Sequence, residues 1–416
     1  MDFDYSEEQL MIKAAARDFA VRECLPGVVD RDEHQQFPKT QINRLAELGL
    51  MGMMVSPEWG GSGLDTVSYV LAIEEISKVD PSVSVCMSVN NSLVCYGLER
   101  FGSDLIKRKY LTGLARGIKD GQLYIGAFLL SEPEAGSDAT SQRTTAVRRG
   151  GEYILNGMKN WITNGNSASV YIVFAQTDPL QGSKGISAFV VEKRWSGVQV
   201  GPKENKMGIR GSDTHSVGFT DVRIPLENRL GEEGEGFAQA MKILEGGRIG
   251  IAAQALGIAA GAYERALSYA SQRKAFGVSL ATHQAIAFKL SDMATRIEGS
   301  RWMCLHAAWQ KDKGMDFSLS GSMAKLVSSE TAMWVTTEAV QVLGGYGYVK
   351  EYHVERMMRD AKITQIYEGT SEVQRIVISR NILGKRTATS SEESQRKETI
   401  REVVEAGMGE EPLAQN

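Results

Sequence analysis

The chain has 416 residues, 42% apolar and 24% charged, with 47 Lys and Arg against 51 Asp and Glu. Such ordinary usage excludes wholesale disorder, and the slightly acidic balance excludes a nucleic-acid or polybasic membrane surface as its main business. The length is ample for a large buried core.

Residues 1–126 read as helical. The start, Met1 to Glu8, is acidic and lacks an apolar core, so neither a secretory signal nor a basic transit peptide is expected, and the expected location is the cytoplasm, or the mitochondrial matrix for a mature eukaryotic form. Ser6 followed by Gln9 predicts a capping box on the first helix. Leu45, Leu48, Leu71, Ile73 and Ile76 recur at helical spacing, Asp80-Pro81 marks a helix stop and restart, and Gly60 to Gly63 reads as a loop.

From 127 to 239 the texture changes to short β-branched and aromatic runs: 153–155, 170–174, 186–191 and 217–224. Gly150-Gly151, Asn156-Gly157 and Asn164-Gly165 separate them as hairpin signals. No helices alternate with these strands, so an antiparallel barrel or sandwich is expected. From 240 to 384 the helical period returns in four segments, 237–273, 282–313, 320–343 and 351–383, which predict an up-and-down four-helix bundle. Gly and Ala crowd the first of these, allowing close helix approach. The uncharged run Ile249 to Tyr263 is too short and too rich in Gly, Ala and Gln to span a bilayer, so no membrane insertion is expected. Residues 385–416 carry many charges and no aromatic residue and read as a solvated tail, with Ile400, Val403 and Val404 as a short amphipathic turn. The fold class is thus α+β: an all-α N-terminal domain, a central antiparallel β domain and a C-terminal four-helix bundle.

Cys24, Cys86, Cys95 and Cys304 form no CxxC and read as reduced, buried thiols; the five histidines form no HxxxH or HExxH pair, so no metal site is expected. GxGxxG after a strand, GxxxxGK[ST] and GxSxG are all missing, so a nucleotide-like ligand needs another architecture.

Four segments carry candidate chemistry. Phe128 to Asp138 (FLLSEPEAGSD) is an apolar run ending in turn formers with two serine hydroxyls. Gly157 to Gly165 places Trp161 beside Thr163, a ring to stack and a hydroxyl to bond its edge. Gln365 to Gln374 (QIYEGTSEVQ) sets Glu368 among Ile366, Tyr367 and Gly369, where apolar neighbours raise a carboxyl toward the range of a general base, and pairs Ser371 with Gln374 as a second capping box. Arg273 to Gly277 with Gln284, and Gln341 to Gly345, offer an Arg fork and close-approach glycines to phosphate or ribose. Each segment also has an ordinary reading: a decorated turn, a core Trp, a Glu complementing a helix dipole, and a helix-end Arg with capping glycines. Taken singly, those are the better readings.

In order and together, these segments resemble the acyl-CoA dehydrogenase family over residues 1–384, and most closely its short-chain, butyryl-CoA type members. The likeness rests on Ser131 to Asp138, Trp161 to Gly165, Gly208 to Thr214, Gly247-Arg248-Ile249, Arg273 to Gly277, Gln341 to Gly345 and Arg359 to Gln374. It implies bound FAD between the β domain and the bundle. Phe128, Leu130, Ser131, Gly136, Ser137, Trp161, Ile162 and Thr163 would hold the flavin, with Ser131 where relatives usually carry Thr. Arg273, Phe276, Gln284, Gln341, Gly344 and Gly345 would contact FAD, partly from a neighbouring subunit of a homotetramer, and Thr370 and Glu372 would cap the dinucleotide. Ser137, Glu245, Arg248, Tyr367 and Gly369 match substrate contacts.

Glu368 matches the catalytic base. Some relatives place that base on the bundle helix just before the Arg; here that position is Gly247, and Glu245 is the backup. The resemblance implies oxidation of a short-chain acyl-CoA to a trans-2-enoyl-CoA, with electrons passing to an electron-transfer flavoprotein. An oxygen-using acyl-CoA oxidase and a non-catalytic FAD scaffold of the same fold are the alternatives. Glu134 stands where a Gly is common.

Overall fold

The computed structural model describes residues 4–384; the expected tail at 385–416, with its amphipathic turn, lies outside them. The first helix, α1 (Glu7–Phe19), is capped as its sequence predicts: the Gln9 N–H donates to Ser6 Oγ at 3.2 Å and the Ser6 N–H to Gln9 Oε1 at 3.0 Å. Helix α2 (Thr66–Ser77) is buried along nearly its whole length. Asp80 stops the chain and restarts it as α3 (Pro81–Ser88), its carboxylate accepting from the Ser82 and Val83 N–H groups. The run continues through a wider turn over Val89–Cys95, all of it buried. There the Asn90 side chain donates to the carbonyls of Met51 and Leu114 and accepts from the Gly126 N–H at 2.9 Å, tying the helical part to the first strand of the sheet.

The sheet has eight strands: β1 (Gly126–Leu129), β2 (Thr145–Arg149), β3 (Glu152–Thr163), β4 (Val170–Gln176), β5 (Ile186–Glu192), β6 (Val198–Lys203), β7 (Thr214–Pro225) and β8 (Arg229–Leu230). Seven lie in the order β8-β5-β4-β2-β3-β7-β6, and β1 lies off this path against β4. Pairing is antiparallel except that β1 joins β4 in parallel, from Gly126 opposite Val170 to Leu129 opposite Val173, and Thr145 of β2 meets Gln176 in parallel. No helix is needed for these crossovers, because the β2–β3 hairpin lies between β1 and β4 and reverses the chain.

Of the three expected hairpin dipeptides only Gly150-Gly151 closes one, between β2 and β3. Asn156-Gly157 lies inside β3 at a register shift; Gly157 has φ +139°, and a Cβ there would sit 2.7 Å from Thr144 Cα. The glycine therefore serves a close backbone approach rather than a turn. Asn164-Gly165 does turn the chain, but β3 and β4 are not neighbours.

The bundle contains α4 (Gly236–Gln272), α5 (Gln284–Asp312), α6 (Ser318–Leu343) and α7 (Val354–Ile363); α8 (Ser371–Leu383) follows α7 in the chain. The small residues of α4 act as their spacing suggests: Cβ atoms on Gly257 and Gly261 would fall 2.4 and 2.3 Å from the carbonyls of Glu74 and Lys78. Leu256 and Ile258 of α4 pack with Leu290 and Met293 of α5, Val335 and Ala339 of α6, and Met357 of α7. The expected fourth segment, 351–383, is not one helix. It breaks between Ile363 and Ser371, and the break holds Glu368.

All four cysteines are buried and free, no cluster of three or more His, Cys, Asp or Glu among the described residues can hold a metal, and no helix among them is long and apolar enough to cross a membrane.

Candidate active site

The break after α7 positions the central carboxylate. Ile366 and Tyr367 return their N–H groups to the Ile363 carbonyl, after which Glu368 and Gly369 take φ +51° and +93°. A left-handed Glu costs on the order of 1–3 kcal/mol and is held only by its surroundings. Helix α8 then opens under a cap from Thr370, whose Oγ1 accepts from the Val373 N–H at 3.2 Å. The expected Ser371–Gln374 box is absent. Ser371 Oγ is buried without a partner, and Gln374 Nε2 turns back to the Gly369 carbonyl at 2.9 Å and the Glu368 carbonyl at 3.5 Å. Its side chain closes the loop that holds Glu368.

Glu368 Oε2 is enclosed and has no hydrogen-bond partner. It faces α4, where a Cβ at Gly247 would lie 2.1 Å from it and 2.8 Å from Leu93 Cδ2. Burial pushes the Glu368 carboxyl up to about 7, against the pull of the nearby Lys325 and Arg248 cations. Lys325, wholly buried on α6, donates Nζ to the Gly369 carbonyl at 2.6 Å; burial draws its ammonium down to about 8 although Glu368 opposes the shift. Arg248 is buried, donates to Ser322 Oγ at 3.2 Å, and leaves Nε unpartnered; burial lowers it too. Tyr367 donates its hydroxyl to Gln254 Oε1. Glu245 is paired with Lys242 at 2.7 Å, its side chain 21% exposed.

A second group is assembled at the ends of β1 and β3. Phe128 packs its ring 4.9 Å from Phe174, Leu130 is buried, and Ser131 to Ser137 form a turn closed by reciprocal Glu132–Ala135 backbone bonds. Asn160 donates its N–H to the Ser131 carbonyl at 2.9 Å, so this turn and the Trp161 segment are brought together. Trp161 has φ +62° and its side chain is largely exposed (60%), Ile162 is buried, and Thr163 pairs with Thr214. Gly136 and Ser137 are exposed. Glu134, in place of the common Gly, forms an exposed pair with Arg143 at 3.0 Å. Beneath the turn lies Lys159, fully buried, donating to Glu132 Oε1 at 2.7 Å, Gln142 Oε1 at 2.8 Å and the Leu130 carbonyl at 3.1 Å. Burial raises the Glu132 carboxyl, but Lys159 and the Arg143 N–H outweigh it and hold the group low.

The third group is on the bundle surface. Arg273, Phe276, Gln284, Gln341, Gly344 and Gly345 are all exposed. The Arg273 guanidinium sits 5.7 Å above the Tyr346 ring, joining the α4–α5 connection to the end of α6. No hydrogen bond or ring contact links this group to Glu368 or to the Ser131 turn within one chain, among the described residues.

Lys325 and Lys159 escaped the sequence reading. Their only signal is isolation: Lys325 is the sole charge between Asp316 and Glu330, in the interior of a long helix.

Along this order of helices, sheet and helices the chain matches three family models: the acyl-CoA dehydrogenase N-terminal domain over residues 6–118, the middle domain over 127–222 and the C-terminal domain over 234–383. The chain belongs to the acyl-CoA dehydrogenase family and is an oxidoreductase. It is 47% identical to the short-chain specific acyl-CoA dehydrogenase of Clostridium acetobutylicum, over 92% of this chain and 100% of that one. It is 47% identical to the human mitochondrial short-chain specific enzyme, over 91% of this chain and 90% of the other. The butyryl-CoA dehydrogenase structure from Megasphaera elsdenii superposes with a TM-score of 0.90 at 46% identity, covering 92% of this chain and 100% of that one. A chain in the solved structure of the electron transferring flavoprotein of Acidaminococcus fermentans gives the same TM-score, 0.90, at 49% identity, covering 92% and 100% of the two chains.

Proposed function

We propose that this enzyme oxidises a short-chain acyl-CoA to its trans-2-enoyl-CoA, that Glu368 removes the α-proton, and that electrons leave through FAD to an electron-transfer flavoprotein. The observation that carries the reading is the Glu368 carboxylate: enclosed, with one oxygen unpartnered, and poised near neutrality. A base works best when its proton affinity lies near the working pH. An α-proton beside a thioester is weakly acidic, so charge developing on the carbonyl oxygen needs a donor. The Gly369 N–H fits that need, because it donates to no acceptor among the described residues. Arg248, buried with Nε unpartnered, is a further candidate for substrate contact on α4.

The residues present also fit FAD. Trp161 offers an exposed ring on the segment bonded to the Ser131 turn, that turn carries the Ser131 and Ser137 hydroxyls, and the Thr370-capped α8 N-terminus suits phosphate. When bound, FAD supplies the two-electron acceptor for the substrate β-hydride. Arg273, Phe276, Gln284 and Gln341 to Gly345, exposed and unlinked to Glu368 in one chain, suit the FAD of a neighbouring copy in a homotetramer.

The test is an anaerobic titration of the purified holoenzyme with butyryl-CoA, longer acyl-CoAs and isovaleryl-CoA, following the visible flavin absorbance, beside Glu368→Gln. Bleaching by a short acyl-CoA, slowed at least about 10²-fold in the variant, supports the reading. Absence of bleaching with every acyl-CoA overturns the substrate class. Undiminished bleaching in the variant moves the base elsewhere, first to Glu245.

A further inference from the structure

We infer that Lys325 is a positioning residue of the proton-transfer site, clamping the Glu368–Gly369 loop through the Gly369 carbonyl while its ammonium holds Glu368 ready to accept a proton. The inference rests on Glu368 being the base. Two donors make three hydrogen bonds to two successive carbonyls: Lys325 Nζ and Gln374 Nε2 to Gly369, and Gln374 Nε2 also to Glu368. These two peptides flank the Gly369 Cα, and Glu368 and Gly369 both have positive φ. A loop with that backbone needs outside restraint, and Lys325 supplies it from another helix, α6.

The lysine also carries charge into a dry site. It is wholly buried and, among the described residues, makes its one direct bond to a neutral carbonyl. Such a cation is costly to bury unless a nearby anion compensates it. Glu368 is the stronger of the two anions acting on it, Glu372 the weaker, and Arg248 opposes both. From the side of Glu368, the facing groups are Lys325 on α6, Arg248 on α4, and the neutral hydroxyls of Tyr367 and of Tyr69 on α2. Of the two cations Lys325 acts the more strongly on the carboxyl. The pair therefore keeps the base from being trapped as a neutral acid in its enclosed setting.

Two substitutions separate clamp from charge. Lys325→Gln retains a donor for the Gly369 carbonyl and removes the charge; Lys325→Met removes both. In Lys325→Gln the acid limb of the kcat/KM–pH profile moves to higher pH by about one unit, about tenfold in proton affinity, while the high-pH plateau stays within a few-fold of the parent. In Lys325→Met the limb moves likewise and the plateau drops as well. A merely structural lysine leaves the limb in place in every variant that still folds and holds FAD, and that result overturns the proposal. A reciprocal readout needs no change at Lys325: in holoenzyme labelled at lysine Cε, NMR titration of Lys325 shifts to lower pH in Glu368→Gln. An unshifted Lys325 titration overturns the coupling. Full activity in Glu368→Gln instead refutes the base assignment itself, so the two failures are distinguishable.

Discussion

A Cβ placed on Gly247 would lie 2.1 Å from Glu368 Oε2, far inside contact distance, so the glycine on α4 is what lets the carboxylate occupy its enclosed seat. The same Cβ would meet Leu93 at 2.8 Å, which closes the other way out. Gly247→Ala must therefore push Glu368 out of place. Overpacking of this kind costs about 1–3 kcal/mol, and a misplacement near 1 Å can cost on the order of 10²-fold in rate. We expect kcat to fall about 10–100-fold while the variant still folds and binds FAD, as stopped-flow bleaching and flavin content will show. An unchanged kcat sinks the claim that this seat matters.

The raised carboxyl makes stability depend on pH. Glu368 goes from an ordinary 4.5 to about 7 in the folded protein, so between those values the folded state holds a proton the unfolded chain has lost. Stability then falls as pH rises through that window and levels off above it. The full difference is about 3 kcal/mol, an upper figure for a group with cations beside it. Glu368→Gln mimics the protonated form at every pH. Its stability should exceed the parent's at pH 8 by up to about 2–3 kcal/mol, and the gap should close near pH 4.5–5. Paired denaturant melts of parent and variant check this. A gap that stays constant with pH contradicts the buried titration.

How far the sequence revealed this molecule depended on where each cause lay. The Ser6 cap, the Asp80-Pro81 restart and the Gly150-Gly151 hairpin were legible because each is decided within a few residues. Asn156-Gly157 misled because its glycine answers to Thr144 on a separate segment. The split of the last bundle segment had a local signal, Gly369 and the cap residues after it, but the helical period runs across it, and the hold of Lys325 on the Gly369 carbonyl comes from α6, far away in sequence. The layered helix–sheet–helix fold was readable from texture, and Glu368 stood out only through the family resemblance. Its setting was not readable: Gly247, Leu93 and Lys325 reach it from three elements distant in sequence.

Lys159 gives a prediction for the Ser131 turn. Its ammonium is wholly buried and has three acceptors, and Glu132 in turn accepts the Arg143 and Thr144 N–H groups. Lys159→Met strands a buried carboxylate, which costs about 3–5 kcal/mol when a buried pair is broken from one side. The turn should loosen with it, so FAD should dissociate more readily during gel filtration. Lys159→Met combined with Glu132→Gln removes the stranded charge and should recover part of the lost stability. If the double variant is as unstable as the two single losses added together, the ion pair is not what holds this turn.

The cap of α8 falls on Thr370 and not on Ser371, where the sequence pattern put it. Thr370 Oγ1 accepts from the Val373 N–H, whereas Ser371 Oγ is buried with no partner. Thr370→Ala should cost about 1 kcal/mol, the usual value of an N-cap, and should weaken FAD retention if this helix end meets its phosphates. Ser371→Ala removes an unsatisfied hydroxyl and should be neutral or slightly stabilising. Melts of the apoprotein isolate the cap, because no ligand then contributes to either variant. Equal losses in both, or a larger loss at Ser371, would return the cap to the Ser371–Gln374 arrangement and free Gln374 from the loop. The restraint on Glu368 would then have to come from Lys325 alone.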